Sequence, residues 1–243
     1  MEDIEKEFPL FLKGVYRVFR PIICYADRRL VKDMGKKSLR IIANSKFCAS
    51  MYSIFGVNVD DVIYPPLDLR IFKPSTSKPS LDYVLTYFGK ETRFSVLKRI
   101  ANMGVKIKAF GSKTPFLKKM ATYDNIEFLG RISLKELVEA YSNALFTVFP
   151  FSHEPFGYIP LESIACGTPV LTYNFQGPGE YIVDGLTGWL VQTDDELVKK
   201  AVELWEGGYP LSIRKRCVYE ASKFDVKYYT KKWCRILFRG VIW

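Results

Sequence analysis

An alternation of short apolar runs with segments of helical period is the feature that most constrains how this chain folds. The runs are rich in β-branched and aromatic residues, a composition typical of strands. They cover residues 40–43, 61–64, 82–88, 106–110, 125–129, 144–149 and 169–173. Most neighbouring runs are separated by a segment of helical spacing, which predicts repeated βαβ units around a parallel sheet. We therefore expect an α/β protein.

Three local patterns predict where helices begin and end. Ser133 and Glu136 form the S-x-x-E pattern of a capping box, which predicts a helix over residues 134–143. Ser45 is expected to cap a helix that follows a strand. Gly167 is expected to end a helix, because glycine tolerates the left-handed conformation found after a C-terminal cap.

The composition is that of a globular protein with an excess of positive charge. Of the 243 residues, 48% are hydrophobic, and 36 Lys and Arg against 26 Asp and Glu give a net charge of +10. This content excludes wholesale disorder. The charge favours anionic partners, which include phosphate ligands, nucleic acid and an acidic membrane surface. No apolar window reaches the about 18 residues of a membrane span, and the acidic N-terminus is unlike a signal peptide.

The cysteines predict the compartment and argue against zinc. They are odd in number, widely scattered and without metal-ligand spacing: Cys24, Cys48, Cys166, Cys217 and Cys234. We expect a reducing, cytoplasmic location and no bound metal. Cys166 is expected to be a small buried residue, since no base can be paired with it as a nucleophile would require.

A stretch without periodicity, residues 65–79, marks the best candidate domain boundary. It is rich in Pro, Ser, Thr and Lys, and it separates two regions of βα pattern. We place an N-terminal domain at 1–66 and a C-terminal domain at 67–225. The tail at 226–243 is aromatic and basic at helical spacing, which predicts a helix packed on the body. A further hypothesis is that this tail also contacts anionic lipid.

The region 154–191 contains most of the chemical information. Its pattern predicts a strand, loop, helix, strand, loop, helix and hairpin. The first loop is expected at the carboxyl edge of the sheet, where open α/β folds bind ligands. Gly157 allows close approach of the backbone, and the helix after it offers free amides to a phosphate. Glu154 and Glu162 bracket this turn, and carboxylates accept hydrogen bonds well from vicinal hydroxyls.

The wider setting of the two carboxylates resembles a known family. Glu154 and Glu162 stand in HEPFGYIPLESIACGTPVL, which GPGEYIVDGLTGWLV follows after a short gap. This is similar to the E-x7-E signature of the retaining GT-B glycosyltransferases of family four, with its Gly-rich turn and DG-x-TG hairpin. The upstream segments NIEFLGRISLKELVEAYSNALFTVFP and IIANSKFCASMYSIFGVNVDDVIYPPLD are also similar, so the resemblance covers about residues 38–240.

The resemblance implies a GT-B fold and a role for each matching residue. The C-terminal domain would contain a Rossmann-like parallel sheet, the N-terminal Rossmann-like part would be reduced, and the helix at 226–243 would pack back on that part. Glu162 corresponds to the residue that binds the ribose hydroxyls, and Glu154 to the one that contacts the transferred sugar. Gly130 and Arg131 match the turn that packs on the nucleobase. Four consecutive backbone positions would meet the sugar and the diphosphate: Phe156, Gly157, Tyr158 and Ile159.

The cations for the diphosphate depart from the family pattern. The family usually has G-R and, several residues later, K-G, whereas this chain has YFGKETRFSVL. Lys90 occupies the Arg position and Arg93 follows early. We expect both to neutralise the diphosphate, the alternative being solvated charges at a helix start. The resemblance also implies retention, no metal, and no cofactor beyond the nucleotide-sugar donor, whose phosphate helps to deprotonate the acceptor.

Two further residues of the same region, His153 and Glu180, each have two possible interpretations. His153 is the only histidine and lies beside Glu154, which suggests acid–base chemistry, but it does not match the histidine that matters in the family. Glu180 either contacts the donor or is an acid at a helix start, stabilised by the helix dipole.

The implied function is transfer of a hexose-like sugar, with retention, from a nucleotide-diphosphate sugar to a glycan or lipid-linked acceptor. Peripheral contact with the inner membrane face is a further expectation. Only the closing part of an acceptor-side domain is recognisable within residues 1–66. An alternative is therefore a donor-binding subunit that needs a partner chain or a second copy for the acceptor site. A sugar-nucleotide epimerase and a basic nucleic-acid-binding protein are weaker alternatives, and no nucleic-acid partner is expected.

Overall fold

The computed structural model describes residues 10–75, 78–89, 92–111 and 124–238. The chain divides into two compact units, Met1–Tyr64 and Pro65–Trp243. The described helices include none that is both long enough and apolar enough to cross a membrane.

The N-terminal unit contains a parallel βαβ unit after a long helix. Its elements are α1 (Leu10–Lys37), β1 (Ile42–Ala43), α2 (Lys46–Ile54) and β2 (Asp61–Val62). Strands β1 and β2 pair in parallel, with Ile42 opposite Asp61. Ser45 caps α2, because its Oγ accepts a hydrogen bond of 2.9 Å from the amide of Cys48, which confirms that prediction. The long helix α1 contains Pro21, and the sequence patterns did not predict it.

The C-terminal unit is a parallel sheet with helices between its strands. Its elements are β3 (Val84–Tyr87), α3 (Phe94–Asn102), β4 (Ile107–Phe110), β5 (Ile126–Gly130), α4 (Leu134–Asn143), β6 (Thr147–Phe149), α5 (Tyr158–Ala165), β7 (Val170–Tyr173), a short 3-10 helix (Gly177–Glu180), β8 (Gly188–Val191), α6 (Asp194–Gly207), α7 (Ser212–Ser222) and α8 (Val226–Leu237).

The strand order defines where a ligand site is expected. The six strands are arranged β5-β4-β3-β6-β7-β8, and every pair is parallel. The chain moves outward from β3 to β5 on one side and from β6 to β8 on the other. Adjacent β3 and β6 therefore form the topological switch point, where open α/β sheets bind ligands beyond the carboxyl ends of the strands. The predicted α/β fold is confirmed.

The core explains why the apolar runs are nearly continuous. All residues of β6 and β7 are buried, as expected for central parallel strands that are covered on both faces. Leu85, Val148 and Leu171 are fully buried within this sheet.

The local helix signals act as predicted. Ser133 and Glu136 form a complete capping box at the start of α4, with hydrogen bonds of 3.3 and 2.7 Å. Gly167 has φ +81° after the C-cap residue Cys166 and closes α5 by donating its amide to the carbonyl of Ile164. Both predictions are confirmed.

The predicted hairpin at the end of the 154–191 region is wrong. β8 pairs in parallel with β7 and extends the sheet. A turn precedes it, in which Thr187 Oγ1 accepts the amide of Val183 at 2.8 Å. Gly188 allows the close pairing, because a Cβ there would lie 2.1 Å from the carbonyl oxygen of Val170.

The first part of the predicted boundary segment packs on the C-terminal unit. Leu67 is 4% exposed and its amide donates to the carbonyl of Phe224 at 2.8 Å. The amide of Ser75 donates to Ser142 Oγ at 3.0 Å. Helix α8 covers Val226–Leu237 of the predicted tail helix. Its packing on the N-terminal part stays a prediction.

Candidate functional site

The predicted site residues in the described part of the chain lie along the carboxyl edge of the sheet. Arg93 follows β3, and Gly130 and Arg131 lie at the end of β5. The loop from Glu154 to Gly157 joins β6 to α5, whose first residues are Tyr158 and Ile159. The first and last of these connections flank the switch point and touch each other, since the amide of Arg93 donates to the carbonyl of Pro150 at 3.2 Å. Lys90 lies outside the described residues, so its prediction stays open.

The β6–α5 loop is held by the loop that follows β7. The amide of Glu154 donates to Gln176 Oε1 at 3.0 Å, and the carbonyl of Glu154 accepts the amide of Gly177 at 2.9 Å. Gln176 is buried and also donates to Thr172 Oγ1 at 3.2 Å. The backbone of Glu154 is thus fixed on both sides, which orders the first residue of the E-x7-E pattern.

Gly157 is required by both conformation and space. Its φ is +86°, and a Cβ would lie 2.8 Å from Pro178 Cγ. As the N-cap of α5 it has no side chain to bond the first-turn amides. Those amides, together with the positive end of the helix dipole, suit an anionic ligand.

Tyr181 fixes the same turn from inside the protein. Its buried hydroxyl group lies 3.2 Å from the carbonyl oxygen of Phe156 and 2.5 Å from that of Gly157, and it donates to this carbonyl pair. Burial raises the pKa of Tyr181 well above its usual value, and the charges of Glu154, Glu162 and Glu180 raise it further. All three carboxylates, including both members of the E-x7-E pattern, therefore lie within electrostatic range of the Tyr181 phenol.

Glu162 is a largely desolvated carboxylate with a phenolic donor. Tyr141 Oη, on α4, donates to Glu162 Oε2 at 3.0 Å. Burial raises the pKa of Glu162 to about 7, while the hydrogen bond from Tyr141 acts in the opposite direction. A carboxyl group with a strongly shifted pKa, close to the edge of the sheet where ligands bind, is typical of a functional residue.

The β3–α3 connection is closed by a side chain. Thr92 is buried, and its Oγ1 accepts the amide of Gly89 at 2.8 Å. A Cβ on Gly89 would lie 2.4 Å from Tyr87 Cε1, so any other residue there would require the Tyr87 ring to move.

Arg93 takes part in an ion pair instead of being the solvated charge of the alternative interpretation. Its Nη1 lies 2.7 Å from Asp194 Oδ1, and the two side chains are only 16% and 28% exposed. Tyr173 Oη donates to the same carboxylate oxygen at 2.6 Å and accepts from Arg93 Nη1 at 3.3 Å. The contact of Arg93 with a diphosphate stays a prediction.

The remaining predicted residues have varied surroundings. Gly130 has φ +68°, and its carbonyl accepts the amide of Gly111 at 2.8 Å, while Arg131 is exposed. Phe156 has a buried ring that packs on Tyr181 and Phe224. The other two backbone positions differ in exposure: Tyr158 is exposed and Ile159 half-buried.

The alternatives for neighbouring residues have mixed outcomes. Cys166 is fully buried, which confirms that prediction, and burial raises its pKa to about 12, which disfavours the thiolate that a nucleophile needs. His153 is exposed with φ +62°, a left-handed conformation uncommon for a residue with a side chain. Glu180 ends the short 3-10 helix, and neither of its two interpretations is tested. In the described segments, no group of three or more His, Cys, Asp or Glu is placed to hold a metal ion.

Sequence reasoning missed the residues that support the site. Gln176 and Tyr181 lie in or beside the GPGEY segment, where the glycines indicated a turn but not which loop it would fix. Tyr141 and Asp194 carried no signal, because their partners Glu162 and Arg93 are distant in sequence and meet them only in the folded chain.

Part of the C-terminal unit is similar to a known family. Residues 115–224 match the family described as Glycosyl transferases group 1. A D-inositol 3-phosphate glycosyltransferase from Paenarthrobacter aurescens is 27% identical over 182 residues, 63% of this chain and 45% of that protein. A glycogen synthase from Mycobacterium tuberculosis is 41% identical over 61 residues, 25% of this chain and 15% of that protein. The chain spans less than half the length of either relative.

Solved structures share the fold. Sucrose-phosphate synthase from Thermosynechococcus elongatus superposes with a TM-score of 0.76 at 19% identity, over 89% of this chain and 63% of that chain. Anabaena HepE in complex with UDP and glucose gives a TM-score of 0.75 at 19% identity, over 87% of this chain and 66% of that chain. These neighbours are GT-B glycosyltransferases. The chain therefore has the expected GT-B type of α/β fold, and its residues 115–224 are similar to the group 1 glycosyltransferases.

Proposed function

We propose that the protein is a retaining glycosyltransferase that uses a nucleotide-diphosphate sugar and no bound metal. The observation that carries the proposal is the placement of Glu154 in the loop after β6 and of Glu162 on α5, on either side of the uncapped start of that helix and beside the switch point of the sheet. Carboxylates for sugar hydroxyls and a helix N-terminus for phosphate are the groups that such a donor needs. The group 1 domain and the neighbour with bound UDP and glucose support it.

In the proposed donor complex, each group keeps the role that the family resemblance implies. Glu162 binds the ribose hydroxyls, Glu154 contacts the transferred sugar, and the backbone from Phe156 to Ile159 meets the sugar and the diphosphate. Gly130 and Arg131 pack on the base. Lys90 and Arg93 stabilise the diphosphate charge, with the first-turn amides of α5.

The proposed chemistry replaces one bond to the anomeric carbon with another on the same face. The bond from the anomeric carbon to the phosphate oxygen breaks, and its electron pair leaves with the diphosphate. The acceptor oxygen forms the new bond from the same side, and its proton passes to the departing phosphate oxygen. The protein contributes positioning of both reactants and stabilisation of the developing negative charge.

Donor binding tests this proposal directly. We expect calorimetry on the whole chain to detect a complex with a UDP-, GDP- or ADP-sugar. Replacing Glu162 with Ala removes a charged acceptor worth about 1.5–3 kcal/mol, so affinity should fall about 10- to 100-fold. Glu139→Ala is the matched control, since Glu139 is an exposed glutamate on α4. Failure of every nucleotide sugar to bind would contradict the proposal. Incubation with the donor alone, followed by product analysis, would identify a sugar-nucleotide epimerase. Donor binding without sugar transfer would favour the alternative of a donor-binding subunit that needs a partner.

We also propose that the acceptor is a glycan or lipid-linked molecule reached at the inner face of a membrane. The net charge of +10 supports this, as does α8, where Tyr228, Trp233 and Leu237 are exposed among lysines. Sedimentation with vesicles should rise with their content of anionic lipid. Equal sedimentation with neutral vesicles, or none with either, would contradict the membrane contact.

A further inference from the structure

We propose that Tyr141 is a positioning residue for the donor site, which orients the Glu162 carboxylate and supplies the hydrogen bond that its charged form needs. This inference rests on the proposed function, because it concerns the residue assigned to the ribose. Tyr141 lies on α4, outside the E-x7-E segment, and its hydroxyl donates to Glu162 Oε2 at 3.0 Å.

The position of Tyr141 is fixed by its surroundings. The side chain is fully buried, and its ring packs edge-on against Phe110 with centroids 5.8 Å apart. Its carbonyl accepts a hydrogen bond from Thr168 Oγ1 at 2.5 Å. Arg214, from α7, donates to Thr168 Oγ1 at 2.9 Å and to the carbonyl of Ser142 at 2.5 Å. These bonds anchor the end of α4, so the phenol has little freedom to point elsewhere.

Tyr141 supports only one side of the carboxylate. Within the described ranges it is the sole hydrogen-bond donor to Glu162, and it bonds Oε2. An ionised carboxylate has about four acceptor sites on its two oxygens. Most of this capacity, including that of Oε1, is therefore left for hydroxyl groups of a ligand. A carboxylate that is oriented by one fixed hydrogen bond and keeps its other acceptor sites available is the arrangement expected of a residue that binds two vicinal hydroxyls.

Among the described residues, the other titratable groups around Glu162 give the carboxylate no positive charge as a close partner. Tyr158 from α5 and Tyr181 from the loop after β7 feel its negative charge, which raises the pKa of each phenol after the larger effect of burial. Cys166, at the end of α5, feels both this charge and the opposite one of Arg214. The hydrogen bond from Tyr141 is thus the contact that opposes the burial of the charge.

The sign of the pH dependence follows from these contacts. Burial raises the pKa of Glu162 from 4.5 to about 7, so the folded protein favours the protonated form. The folded protein therefore binds this proton more tightly than the unfolded chain does. The contribution of the Glu162 carboxyl to folding stability is fully present below pH 4.5 and is lost as the pH rises through about 7. Without the Tyr141 hydroxyl the charged form loses its donor, so the pKa of Glu162 rises further.

The first experiment measures this pKa in the ligand-free whole chain. Glutamate carboxyl carbons are labelled with carbon-13 and titrated by NMR, with Glu162→Gln to assign the signal. We expect Tyr141→Phe to raise the pKa of Glu162 by about one pH unit. Tyr83→Phe is the matched control, since buried Tyr83 donates to the carbonyl of Ala140 on the same helix, at 2.7 Å. An unchanged pKa in Tyr141→Phe would overturn the proposal.

A second substitution keeps the test valid if Tyr141→Phe does not fold. Site-specific incorporation of 3-fluorotyrosine at position 141 retains the hydroxyl and makes it a stronger donor, because fluorine acidifies the phenol. The pKa of Glu162 should then fall relative to the unmodified protein. A pKa that stays the same or rises would contradict the assignment.

The second experiment measures UDP-glucose binding between pH 6 and 8.5. A rise of one pH unit in the pKa of Glu162 lowers the ionised fraction about tenfold at pH 6 and by less than about twofold at pH 8.5. We therefore expect Tyr141→Phe to lower the affinity about tenfold at pH 6 and by less than about twofold at pH 8.5. A purely structural role would give the same loss at every pH and would overturn the proposal.

The two experiments separate this inference from the proposed function. If no nucleotide sugar binds the unmodified protein at any pH, the proposed function fails, while the ligand-free titration still decides whether Tyr141 supports the charge. If donor binds and the NMR titration is unaffected by Tyr141→Phe, the proposed function stands and the role of Tyr141 is wrong.

Discussion

The loops after β6 and after β3 are both proposed to contact the donor, yet they are held in different ways. In the β6–α5 loop, the backbone of Glu154 and Gly157 is fixed by groups that follow β7. In the β3–α3 connection, the cationic side chain Arg93 is held by Asp194. In the proposed donor complex, the first arrangement holds amides and carboxylates in place before the ligand arrives. The second uses the charge that the ligand would need, so donor contact there requires Arg93 to share or leave its ion pair.

The largest expected effect tests how strongly the β6–α5 loop is fixed. A Cβ on Gly177 would lie 2.2 Å from the carbonyl oxygen of Pro155 and 2.7 Å from Phe156 Cα, both of them backbone atoms. We expect Gly177→Ala to lower the free energy of unfolding by about 2–3 kcal/mol, because one of the two loops must move. Donor affinity should fall at least about tenfold with the loss of the Glu154 arrangement. Thermal unfolding and calorimetry measure the two effects.

The control for this substitution is Gly207→Ala, at the end of α6. A Cβ there meets no atom within 4 Å, so stability and donor affinity should be nearly unchanged. If the two variants behaved alike, the contact between the loops would not be needed for stability or binding. The claim that the β6–α5 loop is fixed through its backbone would then be wrong.

A smaller effect is expected on the other side of the switch point. Removing either partner of the Arg93–Asp194 pair, as in Arg93→Gln or Asp194→Asn, should cost about 1–3 kcal/mol of stability, since the pair is partly buried. A double-mutant cycle should give a coupling energy of similar size. UDP-glucose affinity separates the roles: Arg93→Gln should weaken it, whereas Asp194→Asn should leave it unchanged or strengthen it. Equal weakening by both variants would mean that Arg93 acts only through the ion pair.

Arg99→Gln is the matched control for the ion pair. Arg99 lies 2.6 Å from Asp195 and also joins α3 to α6, but the side chains are 47% and 85% exposed. Its removal should cost less than about 1 kcal/mol and leave donor affinity unchanged. A larger cost would show that the difference in burial between the two pairs does not control their strength.

The sequence predicted features that depend on neighbouring residues. The caps at Ser45 and at Ser133 with Glu136, and the helix end at Gly167, were all found where expected. Each joins residues at most a few positions apart, so the pattern contains all the atoms involved. The predicted hairpin was wrong for the opposite reason, because the partner of β8 is the more distant strand β7.

The sequence by itself determined the alternating α/β order and the helix caps, and it suggested the pair of glutamates on which the proposed nucleotide-sugar site rests. Only the tertiary structure decided that β3 and β6 meet at the switch point, that Tyr141 supports Glu162, and that Arg93 is paired with Asp194. The physical reason is distance along the chain. Helix caps form from local backbone geometry, whereas a buried carboxylate and its donor meet only after the sheet has brought two helices together.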